Sequence, residues 1–455
     1  MILLDRRTLL RGVGAFVAAS INPSRPRLAQ SSKASAMTTL SAYMSEAHGR
    51  PLPAEVSEKA KHHILDTLAA SVSGTELPPG RVALAFAKTY SDKTATVAGS
   101  NLLCGPIEAA FVNAMLAHAD ETDDSHSPSQ SHPGCAVVPA ALAVGEQFAI
   151  DGTSVIRAVT LGYDVGTRVT MTVGVPGFET ATHVSTHALA SLFGAAAAAA
   201  SAASLNAQQM RWVIDYAVQQ ASGTKLWQRD TDHIQKAFVF AGVGARGGVT
   251  AAELVRLGAT GVDDVLSGEN NFLAIHAPTA SPEQLIEKLG DRYEVTRTNI
   301  KRWTVGSPIQ APLDALELLF KRRVFNAEDV TRVTVRCATS EAALVDNREM
   351  PDICMQHIVA VMLIDKTVSF RAAHDKARMR DPAILRQRAK VQLVGDEELE
   401  RRRPRREAVV EVTLTDGTRV TERVEAVRGT HNRPPNLYAA VEKFKSEQST
   451  ANYQP

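Results

Sequence analysis

The chain is sparing with cysteine, nearly balanced in charge, and lacks an N-terminal apolar run long enough for a bilayer. Its four cysteines, Cys104, Cys135, Cys337 and Cys354, lie far apart in 455 residues and form no C-x-x-C pair. That spacing gives no support to a thiolate-held iron–sulfur cluster or a zinc ribbon, and it implies no disulfide framework. Lysine and arginine number 50 against 49 acidic residues, a formal charge of +1. With no broad field of either sign, nucleic acid and anionic membrane surfaces are poor partners, and small molecules are the better expectation. The apolar stretch from Gly12 to Ile21 is too short to span hydrocarbon, so no membrane span is expected in the mature chain.

That stretch has another reading. Arg6 and Arg7 precede Leu9 and Leu10 and then the weakly apolar run, so residues 1–36 read as a twin-arginine export signal. The periplasm is then the expected destination; initiation at Met37 would leave the protein in the cytoplasm instead.

What the sequence does contain is helix. A hydrophobic fraction of 44% over this length supports more than one globular core. From 38 to 268 the apolar residues recur at three and four. In "PAEVSEKAKHHILDTLAASVSG", Val56, Ala60, Ile64, Leu65, Leu68 and Val72 make one stripe and Gly74 a stop. Adjacent His62 and His63 point in different directions and read as a partly exposed pair. Asn206 with Gln209 three places on has the spacing of a capping box. After Gly268 the period changes. "VTRVTVRC" (330–337) alternates, and "EAVVEVTLTDGTRVTERV" (407–424) is two alternating runs around Asp416-Gly417, a hairpin signal. The fold class is therefore mainly α: a large all-helical domain over 38–268 and a smaller α+β domain over 270–425. A final helix, 426–448, returns to the helical domain.

One segment stands out chemically. "HADETDDSHSPSQSHPG" (118–134) gathers His118, His126 and His132 with Asp120, Glu121, Asp123 and Asp124. If the preceding helix continues into it, His118, Glu121 and Asp124/Ser125 share a face. Three readings compete: a metal site, a capped and solvated turn, and acid/base or substrate-positioning chemistry, for which histidine titrates in the right range. The first lacks any fixed ligand spacing such as H-E-x-x-H.

Further on, His183 and His187 stand at i and i+4 by the start of an alanine-rich helix, where imidazoles beside a helix N-terminus make an anion site. Lys236 and Arg246 flank glycines. Gly242, Gly244 and Gly247 satisfy G-x-G-x-x-G, but no strand–helix–strand alternation surrounds them, so close backbone packing is preferred to dinucleotide binding. Lys301 and Arg302 precede a Gly306-Ser307-Pro308 break and a helix, which suits a carboxylate ligand.

Taken in order, "HHILDTLAASVSG", "FVNAMLAHADETDDSH", "HPGCAVVPAALAVGE", "GYDVGTRV", "HALASLFGAAAAAA", "QKAFVFAGVGARGGVTAA" and "QHIVAVMLIDKTVSF" resemble the MmgE/PrpD family, which includes 2-methylcitrate dehydratase, cis-aconitate decarboxylase and iminodisuccinate epimerase. The resemblance runs from Thr39 to Phe444. It implies a homodimeric enzyme without cofactor or metal, a helical domain with a smaller lid domain, and a small di- or tricarboxylate substrate. It also implies proton abstraction next to a carboxylate, followed by loss of water, inversion or loss of carbon dioxide. Carried over, the family's first loop meets Glu121, Asp124 and Ser125 as substrate-binding residues, with His183 and Lys301 beside them; Arg246 joins them from the reading of the glycine-rich segment. His132, His187, Lys236 and His357 take the catalytic positions, and His187 is preferred to His183. Glu121, Ser125 and His357 stand where Asp, Thr and Tyr are usual. The leading expectation is a lyase of the 2-methylcitrate dehydratase type. The alternatives are an epimerase or racemase, a decarboxylase of the cis-aconitate type, and a non-catalytic periplasmic carboxylate-binding protein.

Overall fold

Alanine sets the spacing of the helical body. Ala195 to Ala200 lie within the helix Thr186–Ala202 and are all fully buried, because methyl side chains let neighbouring backbones come close on every side. The helices Gly134–Phe148, Gly152–Val173 and Val243–Arg256 surround it. Glycine deepens two of these contacts. A Cβ on Gly166 would lie 2.3 Å from the Ala190 carbonyl oxygen, and one on Gly248 would lie 2.4 Å from the Ala196 backbone nitrogen.

The computed structural model describes residues 35–90, 94–175 and 177–427. The export-signal reading falls almost wholly outside the described residues, as does the returning helix beyond residue 427.

Ala36–Glu46 and Ala207–Val218 also pack on the alanine helix, while Ala54–Gly74, Pro78–Ala87 and Pro106–Ala117 form a further layer in which Pro106–Ala117 packs on Gly134–Phe148 and Val243–Arg256. The expected stripe of Ala54–Gly74 buries Val56 and Ala60, and the capping box of Asn206 and Gln209 forms in both directions. The glycines of the G-x-G-x-x-G match sit in a π turn, Phe238–Gly242, and the helix that follows, where Gly244 and Gly247 meet Ser191 and Leu192 of the alanine helix. Close packing is their role. The helical run Ile234–Arg256 is apolar and long enough to cross a membrane, but 72% of its apolar window is buried in the protein, as in a core helix.

A two-stranded antiparallel ribbon, β1 (Ala95–Thr96) and β2 (Leu103–Cys104), sits in the helical body. The remaining strands make one sheet in the order β4-β3-β5-β6. These are β3 (Val330–Ala338), β4 (Val391–Asp396), β5 (Ala408–Leu414) and β6 (Arg419–Val424). β5 and β6 form the expected hairpin, with Gly417 at φ +82° in the left-handed region that its missing side chain permits. β4 pairs parallel with β3, and the link between them carries helices, as a parallel pair requires. The helices Ser307–Arg322 and Met355–Asp365 share the sheet's apolar core.

Among the described residues there are two large apolar clusters and a small third one of Ala188, Val239 and Phe240. The first runs from Met37 to Val295, so residues 270–295 pack with the helical body and not with the sheet, as the change of period at Gly268 had suggested. The second runs from Trp303 to Val427. Between them the chain passes through an extended stretch in which Ser125 and Asn299 exchange backbone hydrogen bonds of 2.9 Å.

Replacing Gly166 by Ala adds helix propensity of about 1 kcal/mol, yet the methyl has no room against Ala190. The expected net effect is a loss of about 1–3 kcal/mol in urea unfolding; an unchanged or raised midpoint would contradict this packing.

Candidate active site

The helix Pro106–Ala117 stops at His118, and the polar segment that follows is loop. His118, Glu121 and Asp124 therefore do not share a helical face. The loop is nevertheless buried: Asp120, Glu121, Asp123 and Asp124 are each 3% exposed or less. Carboxylates so placed need partners, and each finds different ones.

Asp124 turns toward the helical body. His63 Nδ1 lies 2.9 Å away, the Tyr163 hydroxyl donates to it, and the Gly134 N–H donates at 3.1 Å. His63 is thus fully buried, not part of an exposed pair, and His62 is only 8% exposed. Asp124 reaches the reactive groups only through its carbonyl oxygen, 2.5 Å from His132 Nδ1. Asp123 faces the other way. Its carboxylate lies 2.8 Å from His118 Nδ1, 3.3 Å from His132 Nδ1 and 3.5 Å from Lys301 Nζ. Burial alone would raise its pKa, but those three neighbours hold it well below the carboxylate norm. Glu121 touches two ammonium groups: Lys236, in direct contact, and Lys301 at 3.7 Å. Lys301 also donates to the Glu121 carbonyl at 2.8 Å.

An aromatic floor joins the segments. Phe240, in the π turn four residues after Lys236, stacks on His187 with centroids 3.9 Å apart and on His118 at 5.0 Å. His132 stacks on His187 at 4.9 Å. Lys236 Nζ lies 5.0 Å from the Phe240 ring and 5.2 Å from Trp227, within cation–π range. Burial pushes the Lys236 pKa down to about 7, with Asp352 pulling it up and Lys301 and Arg348 pressing it further down. His187 is likewise kept neutral, first by burial and then by His132.

The structure thus brings together Glu121, His132, His187, Lys236 and Lys301, with Asp124 behind His132. Ser125 is buried next to them and lines a small hollow with Lys301 and Arg406. Three expected residues lie elsewhere. His183 is exposed, at φ +58°, ahead of the helix that Thr186 opens and that carries His187 in its first turn. Arg246 is exposed on the helix Val243–Arg256. His357 lies in the second core among Arg388, Arg378 and Asp375, its pKa pushed to about 4 by burial. Among the described residues, no hydrogen bond, ion pair or ring contact ties it to the cluster.

Sequence reasoning missed His233 and His374. His233 opens the Lys236 helix in a left-handed conformation, with its ring 5.2 Å from His118. His374 comes from the sheet side and pairs with Asp120 at 2.8 Å, while its Nδ1 meets the Phe370 carbonyl at 2.6 Å. Asp120 in turn accepts from the Thr122 N–H at 2.9 Å. Among the described residues, two donor sets have metal-ligand spacing, His118/Asp123/Cys135 and His118/Glu121/His233. In the first, burial and the neighbouring carboxylates keep the Cys135 thiol protonated. In the second, Glu121 already meets two ammonium groups.

His374 yields a pH-dependent stability. Burial lowers its pKa, but Asp120 and Asp352 outweigh burial and raise it to about 9, above its unfolded value near 6.5. The stabilisation is therefore full below about pH 6.5 and disappears as pH rises through about 9. We expect His374→Gln to cost about 2 kcal/mol at pH 6 and little at pH 10, measured by urea unfolding at both. An equal cost at the two pH values would contradict a charged clasp.

Known proteins resemble this chain over most of its length. The MmgE/PrpD N-terminal domain matches residues 38–285 and the C-terminal domain matches 303–450. The chain is 25% identical over 421 residues to cis-aconitate decarboxylase of Aspergillus terreus, covering 85% of this chain and 84% of that one. It is 25% identical over 413 residues to the human cis-aconitate decarboxylase, covering 87% and 84%. A cis-aconitate decarboxylase-like protein, oryM, of Aspergillus oryzae is 26% identical over 319 residues, and there the match spans 64% of either chain. The two domain matches between them cover most of the sequence, and this chain belongs to the MmgE/PrpD family.

Proposed function

We propose that the protein is a lyase acting on a small di- or tricarboxylate, its chemistry carried by imidazole and ammonium groups of the chain itself. The observation that carries the reading is the convergence of Lys236 and Lys301 on one carboxylate, that of Glu121, beside the stacked rings of His132 and His187. A substrate carboxylate is the same chemical group. Two ammonium ions held ready for it also stabilise the charge that develops when a proton leaves the adjacent carbon.

His132 Nδ1 is engaged by the Asp124 carbonyl, which leaves Nε2 as the lone pair that takes the proton. The C–H electron pair then moves into the carboxylate, giving an enolate-like dianion between the two lysines. Its collapse expels hydroxide from the neighbouring carbon, which leaves as water by taking the proton that His132 now carries, with neutral His187 stacked beside that ring. This is the 2-methylcitrate dehydratase type of reaction. Loss of carbon dioxide is the second reading, favoured by the names of the relatives. Epimerisation is weakened by the placement of His357 away from the cluster. Homodimer formation and periplasmic export belong to the same proposal.

Lys236→Met and His132→Gln are each expected to lower kcat/KM by about 10²-fold or more, with substrates found by NMR-monitored incubation with polycarboxylates in D₂O. Near-normal turnover in both variants defeats the assignment. The ammonium form of Lys236 predominates below about pH 7, so kcat/KM is expected to fall as pH rises through that value. Lys236→Arg, which stays charged, is expected to remove that limb; a pH profile unchanged by it would contradict the role given to Lys236.

A further inference from the structure

Beside Lys236, three buried atoms face one another. They are a ring nitrogen of His118, a carboxylate oxygen of Glu121 and a ring nitrogen of His233, all within 4.8 Å of one another. The residues are 0%, 3% and 5% exposed respectively. His118 Nε2 and both nitrogens of His233 have no hydrogen-bond partner among the described residues.

The protons on these groups can be assigned from their other contacts. His118 Nδ1 lies 2.8 Å from Asp123, a carboxylate that its neighbours keep ionised, so Nδ1 carries the hydrogen. Burial keeps the ring neutral. Nε2 is then a bare lone pair that can only accept. Ionised Glu121 also only accepts, and neutral His233 offers one N–H and one lone pair. A group that satisfies this trio must donate to His118 and accept in return.

A second carboxylate fails, because its lone pairs would oppose that of Nε2. An alcohol fits. Its O–H donates to His118 Nε2, and its oxygen accepts from the His233 N–H or the Lys236 ammonium. We infer that His118, oriented by Asp123 and flanked by His233, is a hydroxyl-recognition subsite, so that the substrate is a hydroxy-polycarboxylate and not its deoxy or unsaturated counterpart. This rests on the polycarboxylate reading above and narrows it: with a hydroxyl held there, water is the group lost. A ligand without the hydroxyl leaves Nε2 buried and unpaired, and sites of this kind discriminate strongly for that reason. A divalent cation would suit the same donors, with Asp123 as the outer partner of His118; the Lys236 ammonium against Glu121 opposes it.

The test compares citrate with tricarballylate, which differ only by the hydroxyl, in calorimetric titrations of the chelator-treated full chain. Citrate is expected to bind about tenfold tighter or more. In His118→Leu the ratio is expected to fall to near one while tricarballylate binding is kept. Asp123→Asn, which presents an N–H to Nδ1 and so leaves the ring proton on Nε2, is expected to erase the preference as well, and it serves if the leucine variant does not fold. Equal and tight binding of both ligands to the unmodified protein overturns the hydroxyl subsite and leaves the polycarboxylate reading standing. A preference that survives both substitutions, or that arises only on adding Zn²⁺, overturns it too. Failure of both ligands and of a wider panel of polycarboxylates overturns the reading and the inference together.

Discussion

Four carboxylates within five consecutive positions, all withdrawn from water, are the constraint on which this structure turns. Burying one unpaired carboxylate is costly and burying four together would be prohibitive, so the loop 120–124 holds its shape only because distant segments compensate it. Asp120 is met by His374, Glu121 by Lys236 and Lys301, Asp123 by His118, His132 and Lys301, and Asp124 by His63, Tyr163 and the Gly134 N–H. The partners come from both apolar cores. Folding of the helical body and docking of the sheet side are therefore conditions for the same loop conformation.

The same compensation makes the site reactive. Groups gathered to neutralise carboxylates are kept dry, and dryness depresses the proton affinity of Lys236, His187 and His118 while Asp120 and Asp352 raise that of His374. The result is a pair of neutral imidazoles, His187 and His118, and a charged one, His374, beside two lysine side chains, fixed before any ligand arrives. Preorganised charge of this kind needs no reorganisation when negative charge develops on a substrate. The π turn has a part in this, since it sets Phe240 against His187 and His118 as the common floor.

Much of this was legible locally. The capping box at Asn206, the Asp416-Gly417 hairpin and the apolar stripe of Ala54–Gly74 follow from spacing, because a few adjacent residues decide them. The family resemblance marked Glu121, His132, His187, Lys236 and Lys301. What stayed hidden depends on contacts across long stretches of chain. Nothing near His63 says that it will meet Asp124, and nothing near His374 says that it will meet Asp120. β4 was missed because its place beside β3 depends on a helical crossover, and residues 270–295 lose their helical period although they pack with the helices. Arg246 was misjudged for the converse reason: it stands near Lys236 in sequence, but one helix carries it out to solvent while Lys236 turns inward.

The central claim is that Lys236 and Lys301 form one carboxylate cradle which Glu121 occupies in the free protein. A crystal structure of the protein with a bound tricarboxylate tests it most directly. The account requires a ligand carboxylate within hydrogen-bond distance of both Nζ atoms, with the Glu121 side chain moved from its place between them. A ligand seated elsewhere, with Glu121 still bridging the two lysines, would contradict it.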